Sequence, residues 1–309
     1  MGWTIFGKSP CEGDFVRHDL RDPMAIECFR WIADSVSRYP IWPQKIPAGG
    51  LRFLYVSAST REKVLIGTMT RSRDRVGRDF PLVAVHPFSS REITQTFSAV
   101  PWAWSNVLDR VSSALTELAS RDTISSMASC LSNIEPPSSL DCREEHVRAL
   151  SMFEASPISE FHERAFPRTS SESALSESVF HYAYHTMRVA VGRLDHPSAP
   201  VLLCPVAGEF DITAWLELLR RLLPGDTSPL GMLWMSGDPA RLMVSLSDMP
   251  TSALPMIVGS TMESSRVWPL WTSNDAARMK ARQLIEPLMP IRNPTLMSTI
   301  DALADRSPT

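Results

Sequence analysis

The chain has 309 residues, 44% of them hydrophobic and 21% charged, with a formal net charge of −3. That length can bury one large core or two adjoining ones, and the slight acidity argues against a dedicated nucleic-acid binder, which would gather a basic surplus on one face. No apolar run approaches the roughly 20 residues needed to cross a bilayer, and charged Lys8, Glu12 and Asp14 arrive too early for a secretory leader, so a cytoplasmic protein without membrane insertion is expected.

In chain order, Thr4-Ile5-Phe6 reads as a short strand, and Asp22-Pro23 supplies a cap and a first-turn proline for a helix. Ala25, Cys28, Phe29, Ile32 and Val36 fall on one stripe of that helix, which Pro40 and Pro43 end. Leu51–Ser57, Val64–Met69 and Phe80–Val85 are rich in branched and aromatic residues and predict an antiparallel meander. Trp104, Val107, Leu108, Val111, Leu115 and Leu118 then repeat the helical spacing.

Between Ser120 and Ser176 the texture is polar and Ser-rich around two expected helices, with loops at Pro136-Pro137-Ser138-Ser139 and Pro167–Ser173. A domain boundary is placed near Pro136, giving regions 1–135 and 136–309. The second region predicts a helix over Ala174–Arg193, a buried strand Val201–Val206, and a helix capped by Asp211 and stopped by Pro224-Gly225. Gly231–Met235 and Leu242–Leu246 predict a hairpin around Gly237-Asp238, and Asn274 and Thr295 begin two further helices. Alternating elements of this kind close into a sheet covered on both faces. The expectation is an α/β protein, with a mixed, partly antiparallel sheet and a second α/β region packed against it. Trp234, Trp268 and Trp271 should be drawn into that packing.

Five scattered cysteines (Cys11, Cys28, Cys130, Cys142, Cys204) form no C-x-x-C pair and read as reduced thiols packed as small hydrophobes. All but four of the 31 basic residues are arginine, a bias spread along the whole chain, as genomic base composition produces.

Two blocks stand apart from this background: Gly7-Lys8-Ser9-Pro10-Cys11-Glu12-Gly13-Asp14-Phe15-Val16, and Ser72-Arg73-Asp74-Arg75-Val76-Gly77-Arg78-Asp79-Phe80-Pro81-Leu82. In the first, Gly7 and Gly13 supply backbone angles other residues resist, Pro10 stiffens the turn, Asp14 caps nearby amides and Phe15 anchors the loop. It is not a nucleotide loop, because a phosphate-cradling G-x-x-x-x-G-K-[ST] needs its lysine after the second glycine. In the second, Asp74, Arg75, Gly77, Arg78 and Asp79 alternate in sign, which favours pairing within the turn over a substrate clamp. Arg78 is placed to brace Asp14 or to meet an acidic partner.

Together the blocks resemble the TagF (ImpM) family, in which a G-K-x-P-x-x-G-D-F block opens the chain and a P-S-x-D-x-V-G-R-x-F-P block follows. Arg52-Phe53 and Gly67 occupy the intervening R-F strand and Gly-containing strand, while the family's proline before the serine is Arg71 here. The likeness reaches Phe88; beyond it the chain matches only in general character. It implies a three-layer α/β/α sandwich and a cytoplasmic accessory factor of the type VI secretion apparatus. That factor would repress secretion post-translationally by contact with the forkhead-associated regulator Fha. It also implies regulation by binding, with no catalytic residue, metal or cofactor. The partner-binding candidates are then Gly7, Lys8, Pro10, Gly13, Asp14, Phe15, Asp74, Arg75, Gly77 and Arg78.

Two alternatives compete. Glu177, His181 and His185 recur at i, i+4 and i+8 on one helix, the spacing of a metal-dependent hydrolase lacking its third ligand. In that aromatic-rich helix the plainer reading sets the histidines at the edge, each with one ring nitrogen bonded. The second alternative is a small-ligand sensor using the Gly7–Asp14 loop.

Overall fold

Nine strands form one sheet: β1 (Thr4–Lys8), β2 (Phe15–His18), β3 (Leu51–Tyr55), β4 (Lys63–Thr70), β5 (Leu82–Ser89), β6 (Val201–Cys204), β7 (Gly231–Met235), β8 (Arg241–Ser245) and β9 (Val267–Pro269). They lie in the order β2-β1-β5-β4-β3-β7-β8-β6-β9. Every pairing is antiparallel except that of β6 with β9. The computed structural model describes residues 2–57, 62–118, 123–166, 173–194, 196, 199–225, 227–235, 240–260, 264–272, 274–289 and 294–305.

The two-residue period of the strands sorts their side chains into two cores. Ile5, Leu54, Ile66, Ala84, Trp234 and Val244 face one side, and their chain neighbours Phe6, Phe53, Leu65, Val83, Leu233 and Met243 face the other. Both faces are covered, which is why these strands are apolar throughout instead of alternating with polar residues. On the first face pack the helices Ser105–Leu118, Ser139–Ala155, Ser173–Val191, Glu209–Leu222 and Leu296–Ala304. On the second pack Pro23–Arg38, the turn Trp42–Lys45 and Ala253–Ile257. The result is the expected three-layer α/β/α arrangement.

The meander β3-β4-β5 is as the sequence predicts. So are the caps: Asp22 accepts from the Met24 amide at 2.8 Å, Asn274 from Ala277 at 3.1 Å and Thr295 from Ser298 at 3.1 Å. The second half continues the first half's sheet, through β7 laid along β3 with Phe53 opposite Leu233. At that joint the buried Arg52 donates to Glu209 at 2.7 Å, to Ser105, and to Asp109. One guanidinium thus links β3 to a helix of each half.

Several expectations are corrected. Three helices, Ile124–Ser132, Ser139–Ala155 and Ile158–Ala165, stand where two were expected, because Pro157 breaks the chain between the last two. Phe15–His18 is a strand, with Val16 buried and paired to Gly7. β5 starts at Leu82, after the Phe80 amide has turned back to the Ser72 carbonyl at 3.2 Å. Gly208 holds the cap position of Glu209–Leu222; Asp211, inside the first turn, reaches back to the Ala207 amide at 2.9 Å. Trp234 is fully buried, Trp268 is half-buried under the Arg193 guanidinium, and Trp271 is 41% exposed. The turn Gly237-Asp238 and the loop 167–172 lie outside the described residues.

Candidate functional site

The first block is the turn of the β1–β2 hairpin and the second is the loop joining β4 to β5. Since β1 lies between β2 and β5, the topology sets both at one end of the same three strands. Gly7 takes a φ of 127°, and a Cβ there would be driven into the Pro81 carbonyl oxygen with Leu82 Cα 3.0 Å away. Only glycine lets the first block lie this close to the second. The Glu12 amide closes the hairpin turn onto the Ser9 carbonyl at 3.0 Å.

Asp74 is the hub of the assembly. Its side chain is fully buried; one carboxylate oxygen accepts from the amides of Val76 at 3.0 Å and Arg78 at 2.8 Å. The other meets Lys8 Nζ at 3.0 Å and Arg78 Nε at 2.6 Å. Burial alone would raise the pKa of this carboxyl. The Arg78 amide and the side chains of Lys8 and Arg78 outweigh that and hold it well below the usual carboxylate range. The loop is closed by the Gly77 amide on the Asp74 carbonyl at 2.9 Å, with Gly77 at a φ of 90°.

The two blocks interlock further through backbone. The Arg75 amide donates to the Glu12 carbonyl at 2.9 Å, and Arg78 Nη2 donates to the Gly13 carbonyl at 2.8 Å. Arg75 lays its guanidinium across Gly13, 3.3 Å from where a Cβ would stand. Phe15 packs edge-on against Phe80 at 4.9 Å beneath the Lys8 ammonium. Arg78 therefore braces the residue beside Asp14, while the Asp14 carboxylate accepts from the Phe15 amide at 2.7 Å and faces solvent. Pro10 sits half-buried in the turn. Within the second block Asp74 pairs with Arg78, and Arg73 stands 3.9 Å from Asp79, the internal pairing that the alternation of sign suggests.

With so much of the block turned inward, a small set of side chains faces out. Arg71, Arg73 and Arg75 are exposed, and Val76 is 72% exposed at the tip. Ile41, 65% exposed, lies three residues before Gln44, which donates to Asp79 of the second block. Sequence reasoning left Ile41 out. A large apolar residue between Pro40 and the buried Trp42 was the available signal. The lysine of the Gly7–Asp14 loop is spent on Asp74 and is not presented to a phosphate.

The histidine helix is arranged differently from its sequence reading. Its core face is Phe180, Ala183, Tyr184, Met187 and Ala190. His181 is fully buried as well, with neither ring nitrogen hydrogen-bonded, because helix Asp275–Ile285 packs over that side. Burial lowers its pKa against the opposing pull of Glu177 and Glu286. Glu177 is exposed and His185 half-buried in a cleft with Tyr182 and Trp268, so the three do not share one solvent-facing site. Successive steps of four residues drift by about 40° around a helix, enough to separate them. Among the described residues no three His, Cys, Asp or Glu are grouped to hold a metal, and no helix is long and apolar enough to cross a membrane.

No curated relative matches the chain. Among solved structures it is similar to PA0076 from Pseudomonas aeruginosa PAO1, at 17% identity and a TM-score of 0.35. That alignment covers 44% of this chain and 64% of the other. Residues 4–134, which contain β1 to β5 and both blocks, match the family model described as TagF N-terminal domain, type VI secretion system-associated. Residues 4–134 thus carry a TagF N-terminal domain, a type VI secretion system-associated domain.

Proposed function

We propose that this protein is a cytoplasmic regulator, a post-translational repressor of type VI secretion, acting by binding an Fha-like forkhead-associated component and not by catalysis. The observation that supports this is the interlocked motif surface. A turn and a loop far apart in sequence are fastened by Lys8, Asp74 and Arg78 into one rigid unit. That unit holds an apolar tip, Val76, among exposed arginines, and its Asp79 accepts from Gln44, three residues after the exposed Ile41. A preorganised surface loses little ordering entropy on association, and arginine beside an apolar anchor is a usual composition for an interface hot spot.

The test is titration calorimetry against the Fha-like regulator of the same secretion system. Val76→Asp and Arg75→Glu should each weaken binding at least tenfold while the melting temperature holds, because both side chains are exposed. Arg78→Ala is a poorer probe, since Arg78 also fastens Asp74 to Gly13. Wild-type affinity in both variants would remove the interface from this surface. Absence of any binding by the wild-type protein would refute the choice of partner.

A further inference from the structure

Away from the two motif blocks in sequence, three separate stretches of chain meet around a cavity of about 440 Å³. Its walls are Thr94–Thr96, Arg143 with His146, and Arg220 with Thr227. Beside it sits Glu217, wholly buried, whose carboxylate takes hydrogen bonds from five donors. Arg220 supplies two, at 2.8 and 2.6 Å; Arg221 is at 3.0 Å, Ser98 at 2.8 Å and His146 Nε2 at 3.1 Å. Burial alone would raise the Glu217 pKa, but the hydrogen bonds from Arg220 and His146 hold it well below the carboxylate range.

The cations here outnumber what the fold requires. Glu217 fixes Arg220, which also lines the cavity, through Nε and Nη2, so that this carboxylate does not engage Nη1. Arg221 shares its charge with Asp301 at 3.5 Å. Arg143 is exposed, has no ion pair among the described residues, and stands three residues from His146, so both project from one helical face into the cavity. The glutamate has no acceptor capacity to spare for Arg143. A guanidinium held by a buried carboxylate, lining one cavity with a second that has no ion pair among the described residues, is an arrangement suited to a phosphoryl group, whose oxygens accept forked N–H donors. The volume exceeds a lone phosphate and falls in the range of small-molecule sites. Asp226, between two of the lining residues, lies outside the described residues.

We infer that this cavity binds a small phosphorylated molecule, which would bridge the family-matched segment and the second half of the chain. The experiment is calorimetric titration of the full chain with inorganic pyrophosphate, ADP and adenosine, repeated for Arg143→Glu and Arg148→Glu. Arg148 is exposed on the same helix, is paired with Glu145 and does not line the cavity. Binding of pyrophosphate or ADP that falls at least tenfold in Arg143→Glu, persists in Arg148→Glu and weakens with added salt is the expected result. Pyrophosphate binding as well as ADP marks an inorganic or polyphosphate ligand; ADP binding better marks a nucleotide. No heat from either, adenosine binding as tightly as ADP, or equal losses in the two variants would overturn the proposal.

Discussion

Gly7→Ala tests whether the two motif blocks are fused through backbone. At φ 127° an alanine is in a region that L-residues rarely adopt, which costs about 1–3 kcal/mol. Its Cβ also meets the Pro81 carbonyl oxygen and Leu82 Cα, backbone atoms at the very start of β5, a strand paired on each side. Neither can turn away as a side chain would, so an overpacking cost of about 1–3 kcal/mol adds to the first. The two terms bring the expected loss to about 2–6 kcal/mol. Gly77→Ala is the internal comparison: Gly77 has a φ of 90° with open space around the added carbon, so it carries the conformational cost alone. Urea unfolding followed by circular dichroism gives both values, provided the slope m is unchanged. Gly7→Ala should lose roughly twice as much as Gly77→Ala or more. Equal losses, or a Gly7→Ala midpoint at the wild-type value, would refute the claim that the first block needs glycine to lie against Pro81.

Three histidines carry the pH prediction: burial lowers the pKa of His86 to about 4, of His162 to about 3, and that of His181 as well. The unfolded chain therefore takes up protons that the folded chain refuses once pH drops below about 6.5, so stability falls as pH falls through 6.5 towards 5. His162→Phe should flatten that slope in a pH series of urea melts by about 1.4 kcal/mol per pH unit at most, and an unchanged slope would contradict a neutral buried imidazole. Arg52→Ala should cost about 3–4 kcal/mol, the lower part of the range for breaking a buried pair because Asp109 is 56% exposed and can rehydrate. A midpoint shift under 1 kcal/mol in the same urea assay would show that the joint between β3 and β7 does not depend on it.

What was legible in the sequence follows the range of the forces involved. Asp22, Asn274 and Thr295 were readable as caps because a side chain and an amide two or three residues away settle the matter locally. Asp211 was misassigned because the same carboxylate chemistry works from inside the first turn as well as from the cap. His181 was misread for another reason: its exposure is decided by helix Asp275–Ile285, almost a hundred residues away in the chain, and no periodicity within its own helix reports that. The site was legible as two blocks and not as a set of contacts. Alternating charge signals pairing without naming partners, so the choice of Lys8 and Arg78 for Asp74, and of the Gly13 carbonyl over Asp14 for Arg78, required the fold.

The strand order also explains how one chain can carry a family surface and a second half without interference between them. The family match ends at residue 134, yet the edge of β3 is not left open, because β7 pairs with it and Arg52 ties both halves at the joint. β2 and β1, which carry the first block, lie at the far end of the sheet from β8, β6 and β9. The second half leaves Val76 and Arg75 exposed, and it reaches the neighbourhood of the motif surface at the turn Trp42–Lys45, where Lys45 donates to the Gly259 carbonyl at 3.4 Å. One place where the halves meet on the helical side is the cavity between Thr94–Thr96, Arg143 and Arg220. A ligand held there stabilises whichever relation of the two halves it fits best, which gives binding at one end of the sheet a physical route to the other.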